Sequence, residues 1–251
     1  MISLKKPEDI EKMRKAGEIV ARTLLAAKAV IAPGVTTADI DKIVEENILA
    51  AGAKPAFKGY RGYPASSCIS VDDEVVHGIP GPRRLQEGEL VSVDVGVIYD
   101  GWYGDSAATF PVGEISATKR RLLDVTRECL SAGLAKVRAG SRLGEVSSAI
   151  QCYAESNGFS VVRELVGHGI GRQMHEDPQV PNFGRPDEGP ELKTGMTLAI
   201  EPMINAGVHG VNTKKDGWTV VTQDGLPSAH FEHTVAVTKD GVDILTLAPG
   251  A

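Results

Sequence analysis

The sequence lacks most of the features that mark exported, membrane-spanning or nucleic-acid-binding chains. Cysteine is scarce: Cys68, Cys129 and Cys152 are odd in number, widely spaced and free of any CxxC pairing. That excludes a disulfide framework, and the thiols read as reduced in a reducing compartment. Nowhere do about 18 apolar residues run together, so no membrane span is expected. The opening residues MISLKKPEDIEKMRKAG carry no apolar core of the kind an export signal needs. Nor is there a basic surplus. The 27 Lys and Arg against 33 Asp and Glu give a net charge of −6, which argues against binding driven by phosphate neutralisation. The small clusters Lys5-Lys6 and Lys12 to Lys15 read as solvated surface. What remains is an ordinary folded composition, 42% hydrophobic and 24% charged over 251 residues. That is enough for one sizeable core. A single cytoplasmic domain is the expectation.

Along the chain, a first helix opens at Pro7, with Glu8 and Asp9 in its first turn, and stops at Pro33-Gly34. A second runs from near Thr36 to Gly52, its Ile40, Ile43, Val44 and Ile48 keeping a 3.6-residue period. Strand-like stretches follow at Leu90 to Ile98 and Trp102 to Phe110, joined by the turn pair Asp100-Gly101. The pattern then restarts, with helical stretches from about Ser116 to Val137 and from Gly140-Ser141 to Gly158. At an offset of 106, Gly34 matches Gly140, Ile40 matches Val146 and Gly52 matches Gly158. At 107, Leu85 matches Leu192, Gly88 matches Gly195 and Asp94 matches Glu201. Two ordered series with nearly one offset point to an internal duplication. The expected architecture is α+β: two pseudo-symmetric halves, about 1–113 and 114–251, with a mainly antiparallel sheet covered by helices. An acid ends the same strand in each half, so Asp94 and Glu201 would face each other at the pseudo-twofold axis.

A two-residue turn at Asp100-Gly101 would pair Gly96 with Asp105 and Asp94 with Ala107. Asp94 and Asp105 then share a face as diagonal neighbours, roughly 7–8 Å apart at the backbone. Flanked by Val91, Val93, Val95 and Val97, such carboxylates are costly unless something neutralises them. The later segments VGHGIGRQMHEDP, MTLAIEPM and AHFEHTVAV add His168 and His175 in a Gly-rich loop, Glu201 directly after an apolar strand and Glu232 inside another. Four carboxylates and one imidazole without cysteine suit two divalent ions of the Mn, Fe or Co type better than structural zinc. His209, His230 and His233 read as structural, His233 being turned away from Glu232 by strand alternation.

The segments KGYRGYPASSCISVDDEVVHGIPG, DVGVIYDGWYGDSA, GHGIGRQMHEDP, EPM and FEHT together resemble type I methionine aminopeptidases of the creatinase-like pita-bread fold. The resemblance covers almost the whole chain. It implies metal ligands Asp94, Asp105, His168, Glu201 and Glu232, with Asp105 and Glu232 bridging two divalent ions. Co, Mn or Fe(II) are the expected metals, and Zn also fits. Two ions about 3.5–4 Å apart lower the pKa of a shared water from 15.7 towards about 7. Glu201 is the candidate proton shuttle, His175 the oxyanion donor and His77 the contact to the scissile amide. Tyr60, Tyr63, Cys68, Met174 and Trp218 are implied to line an apolar slot for the methionine side chain. Met174 departs from the family, where phenylalanine often precedes the histidine, but a flexible Met fills such a slot too. The implied substrate is the initiator methionine of nascent polypeptides with a small second residue. Ribosome association and a monomeric state are further expectations, with no membrane and no nucleic-acid requirement. With no zinc-binding or proline-rich extension before Pro7, the chain resembles the family's minimal bacterial form. The competing readings are a prolidase or proline-specific aminopeptidase of the same fold, and a non-catalytic fold relative.

Overall fold

Pro7 needs no partner for a missing N–H, and Glu8 and Asp9 complement the positive end of the helix. They open α1 (Pro7–Val30) in the computed structural model, which describes residues 2–248. α2 (Thr37–Ala50) starts with a reciprocal cap. The Thr36 hydroxyl accepts the Asp39 N–H at 3.1 Å, and the Asp39 carboxylate accepts the Thr36 N–H at 3.0 Å. α3 (Ala117–Leu134) is capped by Ser116, and α4 (Leu143–Ser156) by Glu145, which accepts the Arg142 N–H at 2.9 Å. α2 and α4 are both 14 residues long and begin at positions 37 and 143, an offset of 106.

Between and after the helices lie β1 (Lys54–Pro55), β2 (Cys68–Val71), β3 (Glu74–Val76), β4 (Leu90–Tyr99), β5 (Trp102–Pro111) and β6 (Ser160–Val161). Then come β7 (Gly167–Gly169), β8 (Glu176–Val180), β9 (Thr197–Ile200), β10 (Met203–Asn205) and β11 (Val211–Thr213). β12 (Val220–Thr222), β13 (Ser228–His230), β14 (His233–Val237) and β15 (Val242–Ile244) complete the set. Every pairing among the described residues is antiparallel. β4 is central to one sheet, with β5 on one edge and β1 and β2 on the other. A second sheet runs in the order β15-β14-β9-β7-β8.

The helices cover these sheets. Val20, Leu24 and Ala27 of α1, which lies on β4, and Ile40, Val44 and Ile48 of α2 share one buried core with Val91, Val93, Val95 and Val97 of β4. In the same way Leu122 and Leu130 of α3 and Val146 and Ile150 of α4 pack on Leu198, Ile200 and Val235. Each such side chain contributes ~1.5–3 kcal/mol by leaving water. Two three-stranded sheets, β13-β10-β6 and β11-β12-β3, complete the set, and the first sheet meets its neighbours where β5 passes β13 and β14, threonines replacing part of the ladder. Thr234 Oγ1 accepts the Asp105 N–H at 3.0 Å and donates to Asp105 O at 2.8 Å. Thr109 Oγ1 accepts the His230 N–H at 2.9 Å and donates to His230 O at 2.8 Å. This seam brings Asp105 beside Glu232.

One expectation about the surface fails. Lys5 is not solvated: its side chain is 3% exposed and its ammonium meets Glu176 at 2.5 Å. A partner 171 residues away along the chain leaves no local trace in the charge pattern.

Candidate metal centre

Asp100 and Gly101 both take positive φ, 49° and 73°, the geometry of a tight two-residue hairpin turn. The ladder behind them pairs Tyr99 with Trp102, Gly96 with Asp105 and Asp94 with Ala107. The valines of β4 are spent on the core shared with α1 and α2, so Asp94 is left on the opposite face, with Cys68 as its cross-strand neighbour. Asp105 follows on the same face.

His168 lies on β7 between two glycines that let the strand fit. A Cβ on Gly167 would stand 2.4 Å from Ala199 O, and one on Gly169 closer still to Asp177 O. His168 Nδ1 lies 2.9 Å from Gly169 O, so that nitrogen carries the proton and the Nε2 lone pair faces outward. It points at Glu201 Oε1 at 3.6 Å and Asp105 Oδ2 at 3.9 Å. Glu201 directly follows β9, as expected. Glu232 sits in the two-residue break between β13 and β14 rather than inside a strand. Its N–H donates to Ala107 O at 2.9 Å, and Ser106 Oγ donates to its carbonyl at 2.5 Å. Ligand atoms of Asp105, His168 and Glu232 all lie within 4.8 Å of one another.

These acids are held out of water with only part of their oxygens satisfied. Asp94 Oδ1, Asp105 Oδ1 and Glu232 Oε1 are buried with no hydrogen-bond partner. Burial lifts the Asp94 carboxyl to about 7. Burial, then the neighbouring carboxylates, lifts Asp105, Glu201 and Glu232 well above the usual range. Burial also pushes His168 down to about 4, so its imidazole is neutral. Buried carboxyls with partnerless oxygens beside a neutral imidazole with a free lone pair are the donor set of a cation site. The residues fit a divalent metal.

The carboxylates open into a cavity of about 180 Å³ walled by Phe57, Tyr60, Tyr63, Cys68, Met174 and Trp218. Tyr63 is pinned by its hydroxyl, which donates to Gly78 O at 2.9 Å and Ser67 O at 3.1 Å, and stands edge-on to Trp218 at 5.1 Å. His77 and His175 also line this space. The His175 ring is 4.2 Å from that of His168, and its Nδ1 is 2.8 Å from the Tyr60 hydroxyl. His77 takes a positive φ of 59°, and its pKa is lowered by burial and then by His175. All the residues picked from the sequence therefore converge on one cavity. Arg61, His168 and His175 are shared with a wider groove of about 720 Å³.

Sequence reasoning missed three neighbours. Phe57 and Arg61 line the cavity, and nothing in their local pattern signals it. His230 is 2% exposed, and its Nε2 lies 3.8 Å from Glu201 Oε2. Here a signal existed, because residues two apart on an extended chain share a face, and His230 precedes Glu232 by two. His233, by contrast, turns away and pairs with the Thr246 hydroxyl at 2.8 Å.

The model of metallopeptidase family M24 matches residues 11–239. Methionine aminopeptidase 1 of Bacillus subtilis is 53% identical over 98% of this chain and 99% of its own length. The crystal structure of methionine aminopeptidase from Thermotoga maritima superposes with a TM-score of 0.97 at 51% identity, covering 98% of this chain and all of that one. A prolidase from Pyrococcus furiosus superposes at 0.80 with 25% identity, but this chain spans only 65% of it.

Proposed function

The chain belongs to metallopeptidase family M24, and we propose that its buried carboxylates and His168 hold the divalent metal with which it releases an amino-terminal methionine. It is a metal-dependent aminopeptidase of the pita-bread fold that removes the initiator methionine; its full-length relatives at about half identity are named methionine aminopeptidases. The observation that carries the site assignment is the set of partnerless buried carboxylate oxygens around a neutral His168, at the end of an apolar cavity. The repeated order of two helices followed by acid-bearing strands supports one catalytic domain built of two halves, about 1–113 and 114–251. Each half contributes acids to the centre.

Two ions would be held by Asp94, Asp105, His168, Glu201 and Glu232, with Asp105 and Glu232 shared between them. Mn, Fe(II) or Co suits this oxygen-rich set, and Zn is also compatible. When bound, the metal supplies Lewis acidity at the scissile carbonyl and acidifies water at neutral pH. The chain's own residues do the rest. The methionine side chain fills the slot of Tyr63, Cys68, Met174 and Trp218, while Phe57 and Tyr60 close it. With the Tyr60 hydroxyl donating to His175 Nδ1, the His175 proton sits on Nε2, free to donate to the developing oxyanion. Glu201 carries the proton from water to the leaving amine. His77, its ring 6.5 Å from that of Trp218, contacts the scissile amide. The groove beyond His175 suits the chain that follows, a nascent polypeptide with a small second residue. No described helix is long and apolar enough to cross a membrane. Action in the cytoplasm, as a monomer near the ribosome, completes the reading.

The test is hydrolysis of Met-Ala-Ser against Ala-Pro peptides, with and without added divalent metal. Release of Met only in the presence of metal supports the reading. Preferential cleavage of Ala-Pro would favour a prolidase, and inertness towards both would favour a non-catalytic relative.

A further inference from the structure

His175 and Met174, one assigned to the oxyanion and one to the methionine slot, both sit on the short turn 172–176, outside any helix or strand until Glu176 opens β8. One carboxylate closes this turn. Glu176 Oε1 accepts the Arg172 N–H at 2.8 Å and the Gln173 N–H at 3.1 Å. Its other oxygen takes the Lys5 ammonium at 2.5 Å, in a pair whose side chains are 3% and 14% exposed. Lys5 is itself tied to the frame, its N–H donating to Gly195 O at 2.7 Å. Two glycines make room for it. A Cβ on Gly171 would stand 2.5 Å from Lys5 Cε, and one on Gly195, where φ is +89°, would stand 2.6 Å from Lys5 O.

We propose that Lys5 is a positioning residue for the aminopeptidase reaction, clasping the turn that presents Met174 and His175 through Glu176. A buried charge-assisted bond of this kind is short and directional, and its loss leaves the Glu176 carboxylate buried without its cation. The turn then has only its two amide donors to hold it, and His175 loses its fixed distance from the oxyanion position. The segment before α1, whose Ser3 and Lys5 also line the wider groove, thus acts on His175 through Glu176. This inference rests on the role given to His175 above.

The experiment compares the parent with Lys5→Met, Lys5→Arg, Glu176→Gln and the exposed control Lys6→Met. Its readouts are kcat and KM on Met-Ala-Ser, metal stoichiometry, and hydrogen–deuterium exchange across 170–177. A displacement near 1 Å costs up to about 10²-fold in rate, so Lys5→Met should lower kcat roughly 10–10²-fold. KM should move less, metal content should stay parental, and exchange should quicken only in 170–177. Lys5→Arg should recover much of both, and Lys6→Met should match the parent. Glu176→Gln, which keeps an amide acceptor but loses the charge, should fall between Lys5→Met and the parent, and it carries the test should Lys5→Met not fold. Parental kcat and exchange in Lys5→Met overturn the proposal. So does a lost kcat with unchanged exchange at 170–177, or one that tracks lost metal. If the parent leaves Met-Ala-Ser intact, it is the functional reading that fails, and the exchange pattern alone then decides for or against the clasp.

Discussion

Asp94 and Asp105 stand on an unbroken ladder of ten residue pairs between Leu90 and Pro111, whereas Glu201 and Glu232 stand where strands stop. The amino-terminal pair needs only alternation and a tight turn to share a face. The carboxy-terminal pair has backbone that no ladder satisfies, so other groups hold it. Asn182 Nδ2 donates to Glu201 O at 2.9 Å, Ala107 O accepts the Glu232 N–H, and Ser106 Oγ donates to Glu232 O. The proposed metal centre thus combines a locally determined side with one propped by distant residues. The two sides should answer differently to substitution.

The largest effect erases the difference. Asp105→Asn on the ladder and Glu232→Gln at the break should each abolish release of methionine, since a neutral amide bridges two ions poorly. Retained turnover in either would remove that residue from the bridge. Next comes His175→Ala, which belongs to neither side. Losing an oxyanion donor costs about 10²–10³ in kcat, with KM and metal content near parental, and a metal-depleted variant would make His175 a ligand instead.

Smaller effects should separate the two sides. Asn182→Ala removes the prop under Glu201 and should weaken metal affinity roughly 10–100-fold, as read by metal titration. Parental affinity would mean that the break holds itself. On the ladder, Asp94→Asn should show itself in the metal-free protein through pH. The folded Asp94 keeps its proton to about 7, against an ordinary 3.8. The unfolded chain therefore ionises first, and folding stability falls as pH rises between those values. The amide has no such dependence. Chelator-treated Asp94→Asn should melt above the parent at pH 8 and lose that advantage towards pH 4, and a gap independent of pH would contradict the burial argument.

The same contrast explains what was legible in the sequence. The hairpin register could be written down from Asp100-Gly101 and the valine alternation, because everything that fixes it lies within twenty residues. The matched helices α2 and α4 were visible as an offset of 106, for caps and apolar period are local signals too. The breaks before Glu232 and after Glu201 depend on seams between sheets, and these have no sequence period. Glu201 was legible through the duplication that matches it to Asp94, whereas His168 and Glu232 stood out only as donor types near strand ends, and their place in a complete ligand set came with the resemblance to a family. Phe57, Arg61 and His230 were missed, and Lys5 was read as solvated because Glu176 lies too far along the chain to register.

The most direct test of the central claim, that carboxylates from both sides share one pair of ions, is calorimetric titration of Mn²⁺ into the metal-free parent and into Asp105→Asn. Two tight ions per chain in the parent and the loss of at least one in the variant are predicted. Two tight sites surviving in Asp105→Asn would contradict the shared centre.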